Sequence, residues 1–140
     1  MKNADLAFQL GSLFDGKIVS FYRNSYRGFL GQIQIQVLND LKEHQPTKPQ
    51  DVAERLNISK QHASKILLHF EESGYVVHQD DQADRRSKLF RLSTEGEDLI
   101  RKHIEESNRH FEEMISKLDP SEQTEMTDAM KTLIQVLQKM

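Results

Sequence analysis

The segment RLNISKQHASKILLHFEESGYVVH, residues 55–78, constrains the fold of this chain more than any other. One helix-like apolar pattern stops at Asn57, and the next begins only two residues later. Asparagine tolerates the left-handed backbone that closes a helix. Ser59 is a good N-cap, because its hydroxyl accepts a hydrogen bond from an otherwise orphaned backbone N–H. In the helix after it, Ala63, Ile66, Leu67 and Phe70 share one inward face. Lys60, Gln61, His62, Ser64 and Lys65 occupy its first two turns, mostly on the other side. Gly74 ends that helix, and residues 75–78 read as a strand. The middle of the chain is therefore two short helices on a tight turn, followed at once by extended chain.

The flanks extend the pattern. A second strand, Lys88–Leu92, alternates Phe90 and Leu92 with Arg91, as one buried face of a hairpin should. The intervening loop, residues 79–87, is longer than a hairpin needs. Pro49 suits the first turn of the short helix that ends near Leu56. Leu6, Leu10, Leu13, Phe14, Ile18, Phe21 and Tyr22 recur at helical spacing across residues 5–26, and Ile33, Val37, Leu38 and Leu41 mark a second helix over residues 30–44. Thr94 opens a long helix carrying Ile100, Ile104, Phe111, Met114, Ile115 and Leu118. Asp119, Pro120 and Glu122 then make a capping-box-like start for a last helix, striped from Met126 to Leu137. The expected fold is mainly α with a small β-hairpin wing, an α/β winged helix-turn-helix of six helices in the order α-α-α-α-β-β-α-α.

Such a fold places its second short helix in a major groove and its hairpin along the backbone of a duplex. Charge agrees with that use. The chain carries net −3, but residues 1–54 are neutral, residues 55–93 carry +2 and residues 94–140 carry −5. Four bases (Arg85, Arg86, Lys88, Arg91) fall within seven residues of the wing, which suits an anionic partner. Gln61 can pair bidentately with adenine. Lys60 or Lys65 can donate to guanine or phosphate, and Ser59, His62 and Ser64 offer shorter donors. Basic side chains at the wing tip, Arg85, Arg86 and Lys88, suit a narrow minor groove. Asp84, two residues before Arg86, is placed to hold its guanidinium by an ion pair. The bland alternative is a solvated, charged hairpin tip.

Other classes find little support. No apolar run exceeds three residues, far short of the ~20 that span a bilayer, so no membrane partner is expected. The N-terminus MKNADLAFQLGSLF does not read as a signal peptide. The chain has no cysteine, which excludes thiolate metal sites within it and fits a cytoplasmic protein. His103 and His110 share a helix face and His44 can be imagined beside them. No HExxH or HxxxH pair occurs, so neither a metal nor another cofactor is expected, and a metal-responsive regulator stays an alternative. No phosphate-binding glycine loop or nucleophile elbow is present. Acid pairs such as Glu71-Glu72, Glu105-Glu106 and Glu112-Glu113 diverge on helices, so no enzyme is expected. A winged helix used only as a protein-interaction module is the other alternative.

The wing segment DRRSKLFRLS resembles the D-x-R-x5-L-T signature of the MarR family of bacterial transcription regulators, read as Asp84, Arg86, Leu92 and Ser93. The resemblance extends over nearly the whole chain through DVAERLNIS, FEESGYV, LSTEGE and the six-helix order. It implies that Arg86 enters the minor groove with Asp84 in support, that residues 59–73 read the major groove, and that the terminal helices build a homodimer. It also implies a small anionic aromatic effector, for which Phe14, Phe21, Tyr22, Tyr26 and Phe29 are candidate lining. Ser93 stands where threonine is usual, and Ala83 where many members carry another arginine.

Dimerisation has its own argument, since the terminal helices carry more apolar stripe than a small winged domain can cover. The expectation is one domain, residues 1–140, with a DNA-binding lobe at 30–93 and dimerisation helices at 1–27 and 94–140. A two-fold dimer presents recognition helices about one DNA turn apart, which predicts a palindromic operator for a regulator, more a repressor than an activator.

Overall fold

The computed structural model describes residues 2–20 and 31–140. Among these, helix α1 (Asn3–Phe14) runs on into a π-helical stretch, Asp15–Val19, so the expected first helix is not uniformly α-helical; its continuation past residue 20 lies outside the described residues. There follow α2 (Gln32–His44), α3 (Pro49–Leu56), α4 (Lys60–Glu72), β1 (Val76–Asp80), β2 (Lys88–Leu92), α5 (Thr94–Ile115) and α6 (Pro120–Leu137). The expected order of six helices and one hairpin is borne out. Residues 1–104 and 105–140 form two compact units, with α5 passing from one to the other.

In the first unit, Val37, Leu38 and Leu41 of α2 pack with Val52 and Ala53 of α3 and Ala63, Ile66, Leu67 and Phe70 of α4. Val76, Phe90 and Leu92 of the hairpin and Ile100 of α5 complete this core. The helix junctions obey the local chemistry. Asn57 takes the left-handed conformation (φ 54°), and the Ile58 N–H reaches back to the Ala53 carbonyl at 3.0 Å. Ser59 Oγ accepts from the His62 N–H at 3.1 Å, one orphaned donor satisfied. Gly74, at φ 83°, closes α4 and lets the Tyr75 N–H bond the Phe70 carbonyl.

The hairpin pairs antiparallel from Val76↔Leu92 to Asp80↔Lys88. β1 begins and ends later than its apolar alternation suggests, because backbone pairing continues through Gln79 and Asp80 after the apolar side chains stop; the loop is thereby shortened to residues 81–87. Ser93 ties the hairpin to α5. Its hydroxyl donates to the Gly74 carbonyl (2.6 Å) and accepts from the Gly96 N–H (3.0 Å). Gly96 sits so close that a Cβ would lie 1.9 Å from the Tyr75 carbonyl oxygen.

The second unit holds the end of α5 and all of α6. Asp119 Oδ1 accepts from the Glu122 N–H (2.9 Å), and Glu122 Oε2 accepts from the Asp119 N–H (3.1 Å), the reciprocal cap expected there. No residue of α6 is buried, and Leu133, Ile134, Val136 and Leu137 are exposed.

Candidate nucleic-acid interface

Helix α4 divides sharply into two faces. Ala63, Ile66, Leu67 and Phe70 are buried, whereas Ser59, Lys60, Gln61, His62 and Lys65 are exposed and Ser64 is half-buried. The spacing of Lys60, Ser64 and Leu68 puts these three on one stripe, since residues four apart are neighbours along a helix. Across a concavity of about 310 Å³ that stripe faces Arg86, Ser87 and Lys88 of the hairpin. Lys48, Pro49 and Gln50 close one side of the groove, with Phe90 also lining it. Lys60 and Ser64 of α4 are thus brought together with Arg86 and Lys88 of the hairpin. Gln61, His62, Lys65, Asp84 and Arg85 are exposed but do not line this groove.

The wing tip is built by two aspartates. Asp81 Oδ1 accepts from the Ala83 N–H (3.0 Å), and the Asp81 N–H bonds the Ser87 carbonyl (3.1 Å). Asp84 Oδ1 accepts from the backbone N–H of Arg86 (3.0 Å), and Ser87 Oγ donates to Asp84 Oδ2 (3.3 Å). This corrects the expected ion pair: Asp84 bonds the main chain of Arg86, not its guanidinium. A carboxylate two residues before an N–H closes a local turn of its own, and that geometry directs Asp84 along the backbone. Asp84 therefore shapes the loop from which Arg86 projects.

Two basic residues behave in ways the composition does not reveal. Arg55 belongs by sequence to the segment whose positive charge suits an anionic partner. Instead its Nε and Nη2 donate to Asp40 Oδ1 (2.9 Å) and Oδ2 (2.8 Å), and Nη2 also donates to Thr47 Oγ1 (2.7 Å). The bond to Asp40 raises the Arg55 pKa above its ordinary value, outweighing the burial that lowers it. Lys48, which sequence reasoning misses, lines the groove and lies 3.3 Å from Asp81 Oδ2. The Asp81 carboxyl is held below the usual carboxylate range, first by the Ala83 N–H and then by Lys48. The available signal is the dipeptide Lys48-Pro49: a side chain immediately before a helix-opening proline stands at that helix's N-terminus.

Of the candidate effector lining, Phe14 is exposed, while Phe21, Tyr22, Tyr26 and Phe29 lie outside the described residues. Among the described residues, no three His, Asp or Glu come together as a metal site, and no helix is long and apolar enough to cross a membrane.

A polar helix face and an arginine-bearing hairpin joined by a basic groove define a winged helix DNA-binding domain, and residues 30–96 match that family. The chain is 26% identical over 105 residues to YfiV, an HTH-type transcriptional regulator of Bacillus subtilis (strain 168). That match covers 75% of this chain and 66% of the relative, just under two thirds of its length. A MarR family protein from Bacillus stearothermophilus shares the fold, with a TM-score of 0.80, 16% identity and 99% of each chain covered. FabT of Streptococcus pneumoniae, solved in complex with DNA, does so with a TM-score of 0.72, 20% identity and 99% of each chain covered. The resemblance read from the sequence is borne out in the fold: residues 30–96 match the winged helix DNA-binding domain, and the chain shares its fold with a MarR family protein.

Proposed function

We propose that the chain is a transcriptional repressor that binds a palindromic double-stranded operator as a homodimer. The observation that carries this reading is the groove in which Lys60 and Ser64 face Arg86 and Lys88. One helix supplies base-edge donors and one hairpin supplies cations, on a single continuous surface. Lysine and arginine so placed displace counterions from phosphates, which gives affinity, while the exposed Gln61 and Lys65 beside them can read base edges. In this proposal residues 30–93 are the DNA-binding lobe, and residues 1–27 and 94–140 build the dimer. The exposed apolar stripes of α1 and α6 support that division. The DNA complex of FabT, a protein of the same fold, supports the partner.

Release by a small anionic aromatic effector completes the proposal. It rests on the family resemblance. A ligand would act by binding the DNA-competent and incompetent states with different affinity.

Selection of bound fragments from a random duplex library tests the reading directly. The expected product is an imperfect palindrome with half-sites about one helical turn, ~10 bp, apart. Recovery of no duplex at low ionic strength would overturn the proposal, and recovery of single, unpaired half-sites would remove the dimer from it.

A further inference from the structure

We infer that Arg55 is a positioning residue for the wing: through Thr47 it fixes β2, the strand that follows the loop bearing Arg86, and it influences DNA binding by that route. The inference deepens the DNA-binding proposal and rests on it. Arg55 belongs to α3 and lies outside the groove, so it touches no proposed DNA contact.

A two-stranded hairpin alone is marginal in water and needs a further strand or packing to hold its orientation. Here the second edge of β2 is gripped by the segment between α2 and α3. The Thr47 N–H bonds the Phe90 carbonyl (3.0 Å), and the Phe90 N–H bonds the Thr47 carbonyl (2.8 Å). The Leu92 N–H donates to Gln45 Oε1 (2.9 Å), and Lys48 pairs with Asp81 in the loop. Residues 45–48 thus hold the hairpin at its base and its tip. That segment is in turn held by Arg55, whose Nη2 reaches the Oγ1 of Thr47, itself only 4% exposed. The bidentate grip on Asp40 of α2, 7% exposed, anchors the guanidinium to the core side of the lobe. A planar fork is required, since one side chain must bond a carboxylate through two nitrogens while also serving a hydroxyl; lysine has no such geometry.

Thr47→Val tests this with little change of shape, removing the hydroxyl and leaving the Asp40–Arg55 pair. Two measurements are needed. In the native chain without DNA, amide hydrogen exchange at Phe90 and Leu92 should quicken about tenfold while Leu67 in α4 is unchanged. Binding to a labelled random-sequence duplex at low ionic strength should weaken about fivefold, and that loss should vanish when Arg86→Ala is already present, as for two residues acting through one contact. Arg55→Lys should reproduce both effects. A general loss of stability would weaken binding equally in either background, so an additive loss overturns the inference. Wild-type exchange at Phe90 overturns it too. Were the native chain to hold no duplex, the DNA-binding proposal would fall, and exchange at Phe90 would decide the anchor by itself.

Discussion

The winged lobe and the terminal helices use apolar residues in opposite ways. In the lobe, Leu38, Leu41, Leu67, Phe70 and Ile100 are almost wholly buried, and their elements are stitched by side chains bonded to backbone: Ser59 to His62, Gln45 to Leu92, Ser93 to Gly74. In α1 no residue is buried, and Leu6, Leu10 and Leu13 are about half exposed, as is Phe14, while Phe8 is 82% exposed. Helix α6 repeats this with Leu133, Ile134, Val136 and Leu137. Helical periodicity of apolar residues is a signature of burial. Where a chain shows the periodicity without the burial, an apolar face is left over, and in our proposal a second copy covers it. The lobe has a buried core of its own, whereas α1 and α6 bury no residue.

The sharpest way to break the lobe is at its tightest approach. Gly96→Ala would drive a Cβ to 1.9 Å from the Tyr75 carbonyl oxygen and 3.0 Å from its carbon, and both are backbone atoms that cannot swing away. The expected cost is about 4 kcal/mol or more in urea denaturation, at the extreme of single substitutions. Near-wild-type stability would mean that α5 can move off the hairpin.

A matched pair sharpens the contrast. Leu38→Ala in the lobe should cost about 3 kcal/mol, the usual penalty for an emptied core site, at any protein concentration. Leu133→Ala in α6 should cost less, and its effect should depend on concentration, because the leucine is exposed in the single chain and the proposed dimer would bury it. Denaturation curves at two well-separated concentrations check both. Equal, concentration-independent losses would erase the distinction between the regions.

Legibility in the sequence divides along the same line. Periodicity and capping chemistry locate the helices of the lobe and the start of α6, because Asn57, Ser59, Gly74 and the Asp119–Glu122 box each act within a few residues of chain. The inward face of α4 is readable for the same reason. Links made over longer separations are not. Asp40 and Arg55 are 15 residues apart, Gln45 and Leu92 47, and nothing local in either partner names the other. Asp84 misleads because two residues is also the reach of a backbone turn, and the turn wins over the guanidinium. Gly96 reads as one more helix residue, although a glycine in a first turn marks a close approach of backbone. Of the proposed DNA-facing residues, four line the groove, two from α4, one from the loop and one from β2, and no spacing in the sequence relates the helix to the hairpin.

The exposed face of the lobe carries a smaller test. Arg86→Ala should weaken duplex binding by about 1–3 kcal/mol and lower the salt slope by about one charge, with the denaturation midpoint unmoved. It is exposed and shares the groove with Lys60, so in our proposal its loss removes a contact to DNA and none to the core. A shifted midpoint would make Arg86 part of the fold.

The smallest effect asks how far the stitching of the lobe reaches into its loop. Asp81 is bonded by the Ala83 N–H and by Lys48, and both favour its charged form, so its folded pKa lies below the ordinary value of 3.8. A depressed carboxylate contributes stability that is present above its unfolded pKa and is lost as pH falls through the folded one. The loss therefore belongs to strongly acid solution, and neutral pH leaves it intact. Asp81→Asn keeps an oxygen for the Ala83 N–H while abolishing the titration, so this variant should show a flatter acid limb below pH about 4 than the native chain. The Ala83 amide chemical shift in the native chain follows the same protonation. A midpoint for that amide at or above the ordinary carboxylate value would show the loop unheld in solution, and the ordered part of the lobe would then end at the Asp80↔Lys88 pair.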